Sequence, residues 1–449
     1  MKGHACTAEV AVLGAGPAGV ATACALRRLG HTVTLFGCGR RGTLEGLSAR
    51  ALALLQHLGL THAAACAMQP AERGGRWGGS PVSAGHEFIV DRLILDRALR
   101  DDAAAYGVCL EEEFALAIEP DAGGYRVRTR SGTYRAGVLI DARGRRSGRA
   151  LGRGPSLIAL SQRLSAVRAR QPRTLIWPLD DGWCWFASDG AGGAVVQLIA
   201  ASRGLARGAT PAQRLRECLE ALAACESALR DARLEGEPHA RAASARLSAA
   251  APAPGYVRAG DAGVSMEPLS GHGLYEALSS AGAASAAAHT HLAGHSWEPV
   301  ERFLTERACE RWRTAIARAA AFYEQQAAAT PTTFWRQCAG AYAELLEPRA
   351  PEERPEGAWH LRPVLNGSVI EMRRVAVTRE RPRGVWQVDQ VELARLEEFL
   401  LAEPAAGVAQ AARYLACPPA AVVSAVGWLR AHGLLKSGAH APQTRAVNR

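Results

Sequence analysis

The sequence predicts an α/β protein in which a Rossmann-like nucleotide-binding domain carries an inserted β-sheet domain and precedes a small C-terminal helical, winged-helix-like domain. Three observations predict this fold class. A glycine-rich loop follows an apolar strand pattern, alternating strand patterns fill the middle of the chain, and short helical patterns lie near its end. With 449 residues, of which 48% are hydrophobic, the chain is long enough to build several cores.

The glycine loop has both the sequence and the context of a dinucleotide-binding fingerprint. It lies between an apolar strand pattern and an alanine-rich helical pattern, and it contains Gly14, Gly16, Ala18 and Gly19. In this fingerprint the first glycine permits a tight turn, and the second lets the backbone approach a pyrophosphate. The third lets helix and strand pack closely, with the phosphates at the helix N-terminus. We therefore predict that these four residues bind the cofactor.

The end of the second predicted strand departs from the fingerprint. An acidic side chain usually holds the adenosine ribose at this point, whereas this chain has Gly37. We expect either that Arg40, Arg41 or Glu45 holds the ribose, or that the affinity depends on other contacts.

A second motif lies far downstream in the chain. Gly260 and Asp261 close a short strand pattern, and Gly271, His272 and Gly273 open an alanine-rich helical pattern. An aspartate after a tight turn can accept a hydrogen bond from a ribityl hydroxyl. The free N–H groups of a new helix can donate to an electron-rich ring edge. We therefore predict that Asp261, Gly271 and Gly273 belong to the cofactor site.

Together the two motifs resemble those of the FAD-dependent aromatic hydroxylases. This p-hydroxybenzoate hydroxylase superfamily also contains flavin halogenases and geranylgeranyl reductases, and residues 268–273, Pro-Leu-Ser-Gly-His-Gly, are similar to its halogenase-like branch. The pattern of Arg92, Asp96 and Leu99 resembles the family helix whose arginine lies near the flavin, although alone it indicates an ordinary amphipathic helix. Residues 138–147 resemble the strand and turn that leave the first FAD segment.

The resemblance implies an FAD-dependent monooxygenase. In this superfamily the reduced flavin reacts with O2 to form a C4a-hydroperoxide, whose terminal oxygen is attacked by an electron-rich aromatic ring. The chain has no second glycine fingerprint, so we expect NAD(P)H or an external flavin or electron donor to reduce FAD without a separate nicotinamide domain. The resemblance also implies four domains. The first FAD segment covers 1–150, with part of the substrate layer at about 60–95, and a substrate-binding β-sheet domain covers 151–250. A second FAD segment with helices covers 251–346, and a helical docking domain covers 356–449.

The distribution of lysine argues against halogenation. By resemblance, flavin halogenases use a lysine in the substrate region and carry a Trp-x-Trp-x-Ile-Pro signature. This chain has lysine only at Lys2 and Lys436, and its Trp183-Cys184-Trp185 segment lacks the Ile-Pro. Trp183 and Trp185 are predicted either to be alternating strand residues with one facing the core, or to contact the substrate directly.

Two residues of the second motif are candidates for catalysis. His272 lies in the Gly-x-Gly turn, where its side chain either acts as a base or points away. Glu267 precedes Pro268 and either orients the substrate or caps the turn.

The middle of the chain is predicted to form the substrate layer. Strand patterns at 174–177 and 194–199 predict a sheet that, by analogy with the superfamily, covers the flavin. Helical patterns cover 211–233 and 298–346.

The C-terminal part begins after a predicted linker at 347–355. Helical patterns cover 387–401, 406–415 and 420–432, and the last two resemble a helix-turn-helix or winged-helix module. Because the final helix has almost no basic residues, we expect protein recognition or domain packing rather than nucleic-acid binding.

Composition predicts a cytoplasmic protein without metal ions or membrane spans. No apolar stretch has the length and freedom from charge of a transmembrane helix, and the N-terminus lacks the pattern of a signal peptide. Eleven cysteines occur without the spacing of a metal site. The net charge of +10 comes almost entirely from arginine, as a GC-rich genome would produce, but such forked donors also suit carboxylates or phosphates on a partner.

The chain resembles the flavin monooxygenases that mature tryptophylquinone cofactors. The resemblance rests on three features: the missing lysine, the C-terminal extension and the Glu45-Gly46-Leu47-Ser48 segment. This resemblance implies that a peptidyl tryptophan indole is hydroxylated, twice in all, on the way to cysteine tryptophylquinone. The implied partners are the crosslinked small subunit of an amine dehydrogenase and its crosslinking enzyme. Two alternatives stay open: a hydroxylase or epoxidase of a free small aromatic metabolite, and a flavoprotein that acts mainly in binding or regulation.

Overall fold

The chain is an α/β protein in two units, which confirms the predicted fold class. The computed structural model describes residues 6–39, 42–82, 85–205, 210–249, 251–346 and 358–435. One unit consists of Met1–Trp297 and Leu304–Glu347, and the other consists of Glu298–Phe303 and Pro348–Arg449. Arg40, Arg41 and the predicted linker lie outside the described residues.

The nucleotide-binding sheet has a parallel centre. Its central strands are continuous apolar runs buried on both faces, which is typical of a parallel sheet covered by helices. Helices α1 (Pro17–Arg28), α4 (Arg92–Ala105) and α7 (Gly273–Leu292) belong to this part of the unit. The strand order is β7-β2-β1-β10-β9-β8, with β18 paired to β10, where the strands are β1 (Cys6–Leu13), β2 (Val33–Phe36), β7 (Cys109–Glu111), β8 (Ala117–Asp121), β9 (Gly124–Arg128), β10 (Thr133–Asp141) and β18 (Tyr256–Arg258).

The second large sheet includes the strand patterns at 174–177 and 194–199, and its role as a substrate layer stays a prediction. One face packs on α6 (Pro211–Cys225) through Leu215, Leu219 and Leu222, and the opposite face carries Trp183. Its order is β16-β12-β15-β14-β13-β4-β6-β3, with β5 paired to β4. The strands are β3 (Leu44–Leu47), β4 (Pro70–Trp77), β5 (Ser80–Pro81), β6 (His86–Asp91), β12 (Leu157–Ser165), β13 (Arg173–Leu179), β14 (Gly182–Ser188), β15 (Ala194–Ala201) and β16 (Arg233–Ala242).

A small sheet and several helices complete the first unit. The sheet has the order β11-β17-β19, with β11 (Ala150–Arg153), β17 (Arg246–Ser248) and β19 (Val264–Ser265). The other helices are α2 (Ala49–His57), α3 (Thr61–Ala64), α5 (Ser202–Leu205), α9 (Thr333–Glu344) and α8 (Trp297–Ala329), of which Glu298–Phe303 is assigned to the second unit.

Two helices predicted in this unit are shorter than expected. The pattern at 211–233 forms a helix only as far as Cys225, because Glu226 is extended (φ −126°, ψ 105°) and its carboxylate accepts from the Ala228 amide. The pattern at 298–346 is divided between α8 and α9. Thr330 is extended there (φ −140°, ψ 86°) because Pro331 disfavours helical backbone in the preceding residue.

The second unit contains the predicted C-terminal helices together with hairpins, and only the helical pattern at 387–401 is corrected, because helix there begins at Leu393. It begins with a hairpin of β20 (Ala358–Asn366) and β21 (Val369–Val377), and residues 387–392 form a second, short hairpin instead of helix. The positive φ angles of Asp389 and Gln390 make that turn. The further elements are β22 (Gln387–Val388), β23 (Val391–Glu392), α10 (Leu393–Ala402), α11 (Val408–Leu415) and α12 (Pro419–Ala431), which share one apolar core.

No helix in the described part of the chain is long and apolar enough to cross a membrane.

The glycine loop and the second motif meet at the start of α1. Gly260 has a φ of +61°, and a Cβ atom added to it would lie 2.7 Å from the Cβ of Ala18. The amide of Gly260 also donates to the Ser280 hydroxyl of α7 at 2.7 Å. Two segments far apart in the sequence therefore close on each other with no room for a side chain between them.

We expect Gly260→Ala to lower both the unfolding temperature and the flavin content of the purified protein. The new methyl group would overlap Ala18, and left-handed backbone costs a non-glycine residue roughly 1–2 kcal/mol. The matched control is Gly282→Ala, in exposed α7 backbone where an added Cβ meets nothing within 4 Å. It should keep the flavin and gain up to ~1 kcal/mol of helix propensity. Equal flavin absorbance per protein in the two variants would contradict the close packing of Gly260 on Ala18.

Candidate active site

The glycine loop is shaped by contacts that exclude side chains. Gly14 has a φ of +114°, and a Cβ there would lie 2.3 Å from the carbonyl oxygen of Ala142, after β10. A Cβ on Gly19 would lie 1.9 Å from the carbonyl oxygen of Gly14. Gly16 precedes α1, and no described side chain caps that helix. The first N–H groups of α1 therefore form a place where a pyrophosphate fits.

Gly37 lacks an acidic side chain for a steric reason. A Cβ at this position would lie 2.6 Å from the amide nitrogen of Ala15, within the glycine loop. An aspartate or glutamate would push the loop away from the end of β2. The departure from the fingerprint is thus a consequence of how tightly the loop packs.

Glu45 and Arg92 are brought together at the beginning of α4. Arg92 Nη1 donates to Glu45 Oε2 at 3.0 Å, and Arg92 Nε donates to Asp96 Oδ1 at 2.7 Å. Burial disfavours the guanidinium charge, but the two carboxylates outweigh burial and raise the pKa of Arg92. Arg92 and Asp96 are four residues apart, about one turn of helix, so their side chains lie on the same face of α4 and can pair. Contact between Glu45 and the ribose stays a prediction.

Asp141 anchors the turn that follows β10. It is fully buried and accepts hydrogen bonds from Arg143, the Ser147 hydroxyl and the Tyr256 hydroxyl. Burial opposes its charge, but the hydrogen bonds from Arg143 and Ser147 outweigh burial and lower the pKa of Asp141 to about 2. Asp141 is therefore an ionised structural residue across the physiological pH range.

Arg145 connects this turn to the second motif. Its Nε lies 3.4 Å from Asp261 Oδ2, and its Nη2 donates to the carbonyl oxygen of Met266. The Asp261 side chain is 40% exposed. Asp261 thus directly follows the residue that contacts the start of α1, and its carboxylate remains accessible to a ribityl hydroxyl.

Glu267 is the most unusual ionisable group of the site. Its side chain is only 3% exposed. It accepts from the Leu269 amide at 2.8 Å and from the Tyr323 hydroxyl at 3.1 Å. Burial raises the pKa of Glu267 to about 8, although the two hydrogen bonds and the charge of Arg145 oppose the rise. The neutral acid is therefore the main form at pH 7, and a protonated carboxyl can donate as well as accept.

Tyr323 extends this hydrogen-bonded group into the aromatic core. Its hydroxyl accepts from Trp183 Nε1 at 3.2 Å, so the order of donation is Trp183 to Tyr323 to Glu267. Burial, followed by the charge of Glu267, raises the pKa of Tyr323. Tyr342 and Trp335 pack against the Tyr323 ring at centroid distances of 5.3 and 5.6 Å. Sequence reasoning missed Tyr323, because its place in a helical pattern carries no signal of its partner.

The two tryptophans of β14 have different environments. Trp183 is 2% exposed and belongs to the core, in agreement with the interpretation as an alternating strand residue. Trp185 lies on the same face, is half-buried, and approaches the place that a Gly46 Cβ would occupy, at 3.7 Å. Trp185 is the better placed of the two to contact a substrate, and that role stays a prediction.

His272 lies directly before α7 and is half-buried. Gly271 before it has a φ of +63°, and Gly273 is the first residue of the helix. The carbonyl oxygen of His272 accepts from the Glu276 amide, so its backbone begins the helix. This geometry supports a role for the backbone, whereas a catalytic role for the imidazole stays a prediction.

The residues present fit an FAD molecule. Several segments meet at the contact between Gly260 and Ala18. They carry the glycine loop, the uncapped start of α1, Asp261 and the start of α7. Among the described residues there is no cluster of three or more side chains that could hold a metal ion.

Solved structures share this fold. The peptidyl tryptophan dihydroxylase QhpG, essential for tryptophylquinone cofactor biogenesis, is 30% identical to this chain with a TM-score of 0.76, over 96% of this chain and 100% of that one. The flavin-dependent halogenase CmlS is 19% identical with a TM-score of 0.70, over 89% and 90% of the two chains. Aklavinone-11 hydroxylase, solved with FAD and aklavinone, is 16% identical with a TM-score of 0.58, over 73% and 70%.

The halogenase and the aklavinone hydroxylase show the fold alone at these identities. No family model and no curated protein sequence matches the chain. The dihydroxylase matches at higher identity and over its entire length. The chain therefore belongs to the family of QhpG, within the FAD-dependent monooxygenases of the p-hydroxybenzoate hydroxylase and flavin halogenase-like superfamily.

Proposed function

We propose that this enzyme hydroxylates the indole of a peptidyl tryptophan during the biogenesis of a tryptophylquinone cofactor. The observation that carries the proposal is the 30% identity to a peptidyl tryptophan dihydroxylase along that protein's full length. The absence of lysine from residue 3 to residue 435 supports hydroxylation over halogenation within the same fold.

The cofactor and its site follow from the motifs. Bound FAD, once reduced by NAD(P)H or an external donor, supplies the activation of O2. Gly14, Gly16, Ala18 and Gly19 would hold the pyrophosphate at the start of α1. Asp261 would accept from the ribityl chain, and the Gly271–Gly273 turn would place the first N–H groups of α7 at the flavin ring.

Glu267 is the residue that we assign to proton transfer. Forming a C–O bond on an indole requires that a proton reach the departing oxygen group and that the ring carbon release its own proton. A carboxyl with a pKa of about 8 can hold a proton at pH 7 and take one back within the same hydroxylation. Tyr323 and Trp183 position this carboxyl and keep water away from it.

A polypeptide substrate suits the charge of the chain. Its net charge is +10, with arginine as nearly the sole source of positive charge, so it attracts acidic polypeptides over long range. We propose the crosslinked small subunit of an amine dehydrogenase as the substrate and cysteine tryptophylquinone as the product of the pathway. The crosslinking enzyme is proposed as a further partner.

The protonation of Glu267 predicts how stability changes with pH. Because the pKa is raised from 4.5 to about 8 in the fold, the stabilisation is present below pH 4.5 and is lost as pH rises to about 8. Glu267→Gln should remove this decline, whose slope is at most about 1.4 kcal/mol of unfolding free energy per pH unit. Denaturant unfolding between pH 4.5 and 8 measures it. The control Glu72→Gln removes an exposed carboxylate and should retain the decline. Identical profiles for the wild type and Glu267→Gln would refute the raised pKa of Glu267.

The proposed activity is tested by supplying the crosslinked small subunit, reductant and O2 to the FAD-loaded enzyme. We expect peptide mass spectrometry to show the mass of one or two added oxygen atoms on a single tryptophan. The same subunit with that tryptophan replaced by phenylalanine is the control and should gain none. An unmodified subunit, together with turnover of a free aromatic compound, would replace the proposal with the small-metabolite alternative.

A further inference from the structure

A separate cavity of about 200 Å³ lies behind the Gly260–Asp261 turn. Residues of β17, α7 and α8 surround it, and the glycine loop does not line it. Gly260 and Gly263 form one wall, so the cavity and the proposed flavin site share this turn without sharing their other residues. Neither the family resemblance nor the proposed hydroxylation assigns a ligand to this cavity.

The lining of the cavity is mainly apolar. The walls combine small side chains of α7 with larger aliphatic side chains of β17 and α8, and Leu151, which is 71% exposed, stands among the lining residues. Such a lining favours a ligand whose body is apolar, because apolar surface leaves water on binding. The main apolar contributors are Leu247, Val264, Ala283, Ala284, Leu304 and Ala308.

The charged groups of the lining are all of one sign. Arg258, Arg307 and Arg311 line the cavity, and no carboxylate among the described residues does so. Glu276, which lies outside the lining, pairs with Arg311 at 2.6 Å. Burial and the nearby guanidinium groups of Arg153, Arg258 and Arg145 lower the pKa of Arg246, which indicates an excess of positive charge around this region.

One nitrogen of the Arg258 guanidinium is buried without a hydrogen-bond acceptor among the described residues. Its Nε donates to the Tyr256 hydroxyl at 3.2 Å, and its guanidinium lies 5.5 Å from the centre of that ring. Within the described part of the chain, however, its Nη1 is buried without a hydrogen-bond partner, and so is the hydroxyl oxygen of Ser248. A buried donor left without an acceptor costs about 1–3 kcal/mol, more when the group is charged. An anionic ligand would satisfy this donor.

We propose that this cavity binds a small monocarboxylate with an apolar body, its carboxylate on Arg258 and its body against the aliphatic walls. A carboxylate matches the planar guanidinium, whereas a free phosphate has no apolar body for these walls. The inference goes beyond the proposed hydroxylation, since the ligand need not be a substrate.

Isothermal titration of the full-length, FAD-loaded protein with octanoate tests this, with octan-1-ol as the uncharged probe. We expect octanoate to bind at least about tenfold more tightly than octan-1-ol, since a charged hydrogen bond contributes more than a neutral one. Arg258→Met should abolish this preference. Arg97→Met is the matched control, because Arg97 is an exposed arginine of α4, and it should retain the preference. Ala284→Phe should fill the cavity and weaken both probes.

Equal affinity for octanoate and octan-1-ol would overturn the proposal, as would octanoate binding that survives Arg258→Met unchanged. Unchanged binding to a folded Ala284→Phe variant would also overturn it, because the ligand would then lie elsewhere. Flavin absorbance and the unfolding temperature establish that each variant is folded. Hydroxylation of the small subunit is not a readout here, so this inference and the proposed function succeed or fail separately.

Discussion

The contact between Gly260 and Ala18 is the constraint on which the rest of the site depends. A missing Cβ at Gly260 lets the second motif pack directly on the start of α1, and the Ser280 hydroxyl of α7 holds the same residue by its amide. The positions of three further residues depend on that contact. Arg145 pairs with Asp261, which follows Gly260, and also donates to the carbonyl oxygen of Met266, directly before Glu267. A cofactor site assembled from distant segments thus has its geometry fixed by close backbone packing rather than by flexible side chains.

Local motifs could be predicted from the sequence, whereas long-range environments could not. Gly14, Gly19 and Gly260 were recognisable because their spacing and neighbours are local, and the structure gives each a steric reason. Glu267 was recognisable as a candidate, but its neutrality depends on burial and on Tyr323 from α8, which no local pattern reveals. Pro331 is a local signal for the end of α8 at Ala329, but helical periodicity on both sides of it predicted one continuous helix. The hairpin of β20 and β21 was missed although its signal is local, since the two strand runs flank the two-residue turn Gly367-Ser368.

The absent lysine and the neutral glutamate point to the same chemistry. Without that lysine the chain lacks the group that the resemblance assigns to halide chemistry. Burial raises the pKa of Glu267 to about 8, and its hydrogen bond to Tyr323 connects it to the aromatic core, which suits the proposed transfer of protons during ring hydroxylation. Trp183 is part of this arrangement within the core, and Trp185, on the same face of the strand, is half-buried and packs against the edge of that core.

The central proposal is that Glu267 is protonated at pH 7 and lies beside the bound flavin. Infrared difference spectroscopy of the FAD-loaded enzyme, reduced minus oxidised at pH 7, tests it directly, because a carboxyl next to the flavin responds to the change in flavin charge. We expect the wild-type difference spectrum to contain the carbonyl band of a protonated carboxylic acid, and we expect Glu267→Gln to lack it. A wild-type spectrum without such a band, or one that Glu267→Gln leaves unchanged, would contradict the claim.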